Sequence, residues 1–147
     1  MVDDAFNLDR FVAAQDAGGT YERALAELRS GRKRSHWMWF VFPQVAGLGS
    51  SPAARTYAIS GIGEARAYLD HPVLGARLRE AALAVADLDT HDPADVMGSS
   101  IDAVKLRSSM TLFLEAATDE DDRRLFRGVL DRYFRGEEDP RTAALLA

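Results

Sequence analysis

The chain has 147 residues, of which 47% are hydrophobic and 28% charged, the composition of an ordinary globular domain and not of a disordered one. That length suits a single domain able to bury about 70% of the surface its unfolded form exposes. Cysteine is absent, which excludes disulfides, thiolate zinc sites, iron-sulfur ligation and cysteine nucleophiles, and the net charge of −5 repels nucleic acid and anionic lipid at long range.

The start, Met1-Val2-Asp3-Asp4, is acidic and has no apolar h-region. No run approaches the about 20 apolar residues of a membrane span, so a soluble cytoplasmic protein is expected, without membrane or general nucleic-acid partners. Sixteen arginines stand against two lysines, Lys33 and Lys105, which singles out those two.

In chain order, Asn7 is expected to cap a short helix carrying Leu8, Phe11 and Val12, broken by Gly18-Gly19. Thr20 is the expected cap of a second helix with Tyr21, Leu25 and Leu28 on one stripe, ending through Arg29 and Gly31. The basic run Arg32-Lys33-Arg34 leads into a segment in which every position from Trp37 to Phe42 is apolar, with both tryptophans inside it. Such a run is a buried element. Aromatic and valine content favours a strand, but no second convincing strand exists to pair with it, so a short helix is expected, ended at Phe42 by Pro43.

Gly47-Leu48-Gly49-Ser50-Ser51-Pro52 is a polar loop whose backbone N–H groups are free to face a ligand. A short helical piece with Tyr57 and Ile59 follows, then another around Glu64 to Leu69. His71-Pro72 starts the first long helix, with Leu74, Leu78, Ala81, Val85 and Leu88 on one face. Asp92-Pro93 opens a single turn ending at Gly98, and Ser99 with Asp102 forms a variant capping box for a helix reaching about Ala117. Thr118 is the expected cap of the last long helix, striped by Leu125, Phe126, Val129, Leu130, Tyr133 and Phe134 and stopped by Gly136. Asp139-Pro140 starts a short terminal helix. The fold class is all-α: one compact orthogonal helical domain over residues 1–147, with about eight or nine helices and no significant sheet.

Two groups of residues carry candidate chemistry. On the helix from Ser100 to Ala117, the core face is Ala103, Leu106, Met110, Phe113, Leu114 and Ala117, with Asp102, Lys105 and Ser109 on its flank. A lysine in that apolar setting needs a partner, either Asp102 at i,i+3 or an anionic ligand. The second group is Arg32-Lys33-Arg34-Ser35-His36 with Trp37 and Trp39. Cations recognise phosphate or carboxylate and an indole stacks on a base, while the bland reading makes the basic run a solvated face and the aromatics core.

Three scattered histidines without a second ligand at i,i+4 supply no metal site. No phosphate-binding loop, dinucleotide fingerprint or nucleophile elbow is present, and no cofactor is expected. If the glycine loop folds back toward Lys105 and Ser109, the two groups merge into one pocket.

At these residues the sequence resembles the domain-of-unknown-function family 1810, the Rv1873-like superfamily. The resemblance runs from Phe11 and Tyr21 through Gly31-Arg32-Lys33-Arg34-Ser35-His36-Trp37-Met38-Trp39-Phe40-Val41-Phe42-Pro43-Gln44, Gly47 to Ser51 and Tyr68 to Pro72. It continues through Leu74-Gly75, Asp102, Lys105-Leu106 and Ser108 to Phe113, and ends at Tyr133-Phe134 and Gly136. It implies an all-α fold and no particular activity.

The functional expectation is a small anionic or nucleotide-like ligand bound between segment 36–44 and helix 100–117. Arg34, His36, Trp37, Gln44, Gly49, Ser50, Asp102, Lys105, Ser108 and Ser109 are its candidate contacts. His36 and Lys105 are the candidate catalytic groups for proton transfer and charge stabilisation. The alternative is a non-catalytic interaction or self-association module, monomer and homodimer both being open.

Overall fold

The computed structural model describes residues 4–147; the start of the chain, Met1 to Asp3, on which the reading of an acidic leaderless terminus rests, lies outside them. The described residues form ten α-helices: α1 (Asp9–Asp16), α2 (Thr20–Arg29), α3 (Met38–Val41), α4 (Pro52–Thr56), α5 (Ile62–Asp70), α6 (Leu74–Ala86), α7 (Pro93–Met97), α8 (Ser100–Ala116), α9 (Glu120–Phe134) and α10 (Pro140–Leu146). The excess over the expected eight or nine comes from pieces of one turn, α3, α4 and α7. No sheet forms among the described residues; a single parallel bridge joins Val45 to Ile59. Ile59 therefore lies in extended backbone after α4, not in the helical piece expected for it.

Helix α8 is the axis of the molecule. It packs against α5, α7, α9 and α10, and from Leu106 to Leu114 only Arg107 on it escapes full burial. This is why its sequence has little amphipathic contrast: a helix enclosed on most sides is apolar on most sides. Its N-terminal turns are open, where Ile101 and Val104 are 69% and 59% exposed.

Segment Trp37 to Phe42 is the buried helical element the sequence implies. Trp37, Met38, Val41 and Phe42 are buried, and α3 ends at Phe42, whose backbone leaves helical geometry before Pro43. Trp39 and Phe40 are only half-buried. In one turn of helix some side chains must face outward, and Trp39 does.

Several helix starts differ from the expected ones. Asn7 sits in left-handed backbone, and Asp4 instead accepts from the N–H groups of Leu8 and Asp9. Thr20 is the first residue of α2 and its hydroxyl turns back to the Ala17 carbonyl. The cap of α9 is Asp119, which accepts from the N–H groups of Asp121 and Asp122, displacing Thr118 because a carboxylate is the stronger acceptor and complements the helix dipole. Ser99, Asp92 and Asp139 cap α8, α7 and α10 as expected.

Candidate functional site

A groove of about 590 Å³ opens between α3, the glycine loop, α4, α8 and α10. Its walls are Trp39, Tyr57, Leu48, Ile101 and Val104, and Lys105, Arg55 and Arg141 bring three cations to it. The loop reaches the site because Ile59 ties it down: the Ile59 N–H donates to the Gln44 carbonyl (2.9 Å) and the Ala46 N–H to the Ile59 carbonyl (2.8 Å). Gly47 then turns the chain with φ of +102°, and its open face receives Leu145 from α10, whose Cδ2 would lie 3.2 Å from any Cβ added there. Only glycine meets both demands.

Asp139 anchors the far wall. It is 6% exposed, and its Oδ2 accepts from the Thr142 N–H (3.0 Å), the Thr142 hydroxyl (2.5 Å) and the Ser108 hydroxyl (3.1 Å), while its own N–H donates to Thr111 Oγ1 (2.8 Å). Ser108 and Thr111 lie one turn apart on α8, so this carboxylate caps α10 and pins it to α8 in one device. The Ser108 hydroxyl has one proton and two acceptors in reach, Asp139 and the Val104 carbonyl.

Both lysines of the chain meet on Asp102. Lys33 is 8% exposed and fully partnered: its ammonium lies 2.9 Å from Asp102 Oδ2, donates to the Ser35 carbonyl (2.5 Å) and stands over the Trp37 ring at 5.0 Å. Lys105 is held more loosely, 3.4 Å from Asp102 Oδ1 with a quarter of its side chain exposed, and it stands over the Trp39 ring at 4.8 Å. A buried lysine needs the near carboxylate to offset its desolvation. Lys33 has that claim on Asp102, and Lys105 keeps donors free at the groove.

Glu27, on α2, organises the segment leading into α3. Its carboxylate accepts from the Arg34 N–H (2.8 Å), the Ser35 N–H (3.0 Å), the Ser35 hydroxyl (2.6 Å) and Trp37 Nε1 (2.9 Å). Partial burial pushes its pKa up, but the donors from Ser35, Arg34 and Trp37 together outweigh that and hold it at about 2 against an ordinary 4.5.

Of the residues singled out in the sequence, Gln44, Gly49, Lys105 and Ser108 line the groove, and Arg34, His36, Trp37, Ser50, Asp102 and Ser109 do not. Trp37 is completely buried and spends its indole N–H on Glu27, so it is a core residue. Ser109 is completely buried and its hydroxyl has no partner among the described residues; the flank of α8 on which it sits is covered by protein. Arg34 and His36 are exposed on the stretch that Glu27 holds. Asp102 stands behind Lys105 as its ion-pair partner.

The sequence offered Trp39 with Trp37 as an indole face, but it did not single out Tyr57, Arg55, Ile101, Val104, Asp139 or Arg141 as groove walls. A signal existed for Ile101 and Val104, which are apolar yet lie off the core face of α8. For Arg55 and Arg141 there was none, because only the docking of α4 and α10 beside α8 brings them together.

Among the described residues no group of three or more potential ligands could hold a metal ion, and no helix is long and apolar enough to cross a membrane.

The crystal structure of the conserved hypothetical protein Rv1873 from Mycobacterium tuberculosis superposes with a TM-score of 0.90, at 49% identity over 97% of this chain and 98% of that one. None of the curated proteins matches the chain. Residues 5–146 match the family described as "Protein of unknown function (DUF1810)", and the chain belongs to that family.

Proposed function

We propose that the protein binds a small anionic ligand in this groove, with Lys105 as the contact to its charge. The reading rests on one observation: Lys105 lines the groove while its carboxylate, Asp102, is already engaged more closely by Lys33, at 2.9 Å against 3.4 Å. Arg55 and Arg141 reinforce the positive field. Three cations face one carboxylate there, an excess of two positive charges in a chain of net charge −5, and that carboxylate, Asp139, already accepts three hydrogen bonds on one oxygen. Local positive potential in a low-dielectric cleft concentrates anions, and a concave site with few polar groups among apolar walls is the usual form of a small-molecule pocket.

The reading is one of binding: His36, the proton-transfer candidate, lies outside the lining, and the carboxylate that lines the groove, Asp139, is engaged by Ser108 and Thr142.

A thermal-shift panel of nucleotides, sugar phosphates, ADP-ribose and simple carboxylates tests the proposal. A ligand at one hundred times its Kd stabilises by about 2.7 kcal/mol. Lys105→Met is expected to abolish the shift while costing the free protein no more than about 1 kcal/mol, since its ion pair is loose and partly exposed. If Lys105→Met unfolds the protein, or leaves the shift intact, Lys105 is not the ligand contact.

A further inference from the structure

The exposed apolar side chains of this protein are concentrated at the groove. Among the described residues five large ones are exposed, Phe6, Leu83, Ile101, Val104 and Leu145. Ile101 and Val104 line the groove, and Leu145 packs over Gly47 at its edge. Surface apolar side chains scattered singly need no explanation, but a cluster beside a cationic cleft does.

Granting the anion-binding reading, on which this inference rests, we infer that the ligand is an anionic amphiphile: one carboxylate or phosphate head on an extended apolar body. The head meets Lys105, and Arg55 and Arg141 have no carboxylate partner among the described residues, leaving both available to it. The body lies along Leu48, Ile101 and Val104 toward Leu145.

Two other occupants fit less well. A nucleotide carries polar edges on its sugar and base that must be partnered when buried. The neutral polar side chains in the lining are Gln44, Tyr57 and Ser108, too few for a base and a ribose together, and the Ser108 hydroxyl is already committed to Asp139 or to the Val104 carbonyl. A second copy of the chain, docked on the same face by a two-fold axis, would bring one cationic patch of Lys105, Arg55 and Arg141 against another, and like charges across an interface are repulsive.

Titration calorimetry with hexanoate, octanoate and decanoate below their aggregation concentrations, together with decyl phosphate, decyltrimethylammonium and AMP, decides the matter. Affinity is expected to tighten by about fourfold for each methylene added, from the burial of one CH₂, with decyl phosphate bound and decyltrimethylammonium not bound. Val104→Asp, at a position 59% exposed, should weaken decanoate at least about tenfold, the two buried methylenes' worth or more, with an unchanged urea midpoint. A flat chain-length series, equal binding of the cationic amphiphile, or undiminished binding by Val104→Asp would overturn the inference. AMP binding without decanoate overturns it but leaves the anion site standing, whereas no binding of any anion removes both. A concentration-dependent dimer in analytical ultracentrifugation, lost in Val104→Asp, would instead assign the face to a second copy and overturn the amphiphile.

Discussion

Replacing Glu27 tests whether one carboxylate positions the entry to the buried aromatic segment. Glu27→Ala removes four acceptor contacts at once. Three of the donors, on Arg34 and Ser35, lie on a stretch that is exposed or half-buried and can turn to water, at a net loss of about 0.5–1.5 kcal/mol each at most. Trp37 cannot, because its ring is completely buried; an indole N–H left there without an acceptor costs about 1–3 kcal/mol. A total of about 2.5–7.5 kcal/mol at pH 7 is expected, read as a shift in urea midpoint followed by tryptophan fluorescence.

Glu27→Gln isolates the charge, because the amide oxygen still accepts from the N–H donors. The carboxyl is held at about 2 in the folded protein against an ordinary 4.5. Its charged form therefore stabilises the fold above pH 4.5, and that contribution disappears as the pH falls toward 2. The displacement corresponds at face value to ~3 kcal/mol, and solvent screening at a half-buried group reduces it to ~1–2 kcal/mol. The wild-type and Glu27→Gln proteins should differ most above pH 5 and converge only as the pH falls below about 2. An equal difference at every pH would refute the role assigned to the charge, and an unperturbed Glu27→Ala would refute the role assigned to the residue.

Two further substitutions address the fold. Glu138 has its pKa raised, first by a shared hydrogen bond with Glu115, then by burial and by the charge of Glu115, and its Oε1 is buried without a partner. A raised carboxyl favours the fold while protonated, below its ordinary pKa, and that advantage is lost as the pH rises through the raised value. Calorimetric Tm should therefore be higher for Glu138→Gln than for wild type at pH 7–8, and equal at about pH 4; a lower Tm at neutral pH refutes the reasoning. The second test uses helical glycines. A Cβ on Gly75 would lie 2.1 Å from the Leu69 carbonyl oxygen, whereas nothing stands within 4 Å of one on Gly128. Gly128→Ala should gain ~1 kcal/mol from helix propensity and Gly75→Ala should lose ~3 kcal/mol or more to overpacking. Chemical denaturation giving both the same sign would contradict the close approach of α5 and α6.

Much of this was legible in the chain. The all-α architecture, the burial of Trp37, Met38, Val41 and Phe42 in the aromatic run, its end before Pro43, the caps at Asp92, Ser99 and Asp139 and the core face of α8 all follow from local rules: backbone restriction by proline, oxygen caps and the 3.6-residue period. The pairing of Lys105 with Asp102 at i,i+3 was also legible, since a lysine among apolar neighbours must have a partner. Which carboxylate would cap a given helix was less so, because Asp4 and Asp119 compete with Asn7 and Thr118 only one to three residues away.

The groove is a tertiary object. Sequence spacing placed Ser109 beside Lys105 on α8, yet packing turned Ser109 into the core and left Ser108, itself buried under α10, at the groove wall. The sequence named Trp37 as the ligand contact, yet Trp37 is the tryptophan that turns inward and Trp39 the one that lines the groove; a one-turn helix sends neighbours about 100° apart per residue, and Glu27 on another helix fixes the choice. Periodicity along one helix reports which residues share a face. What covers that face depends on contacts between residues distant in sequence, here Lys33 with Asp102 and Ser108 with Asp139, and those pairings only the folded structure decides.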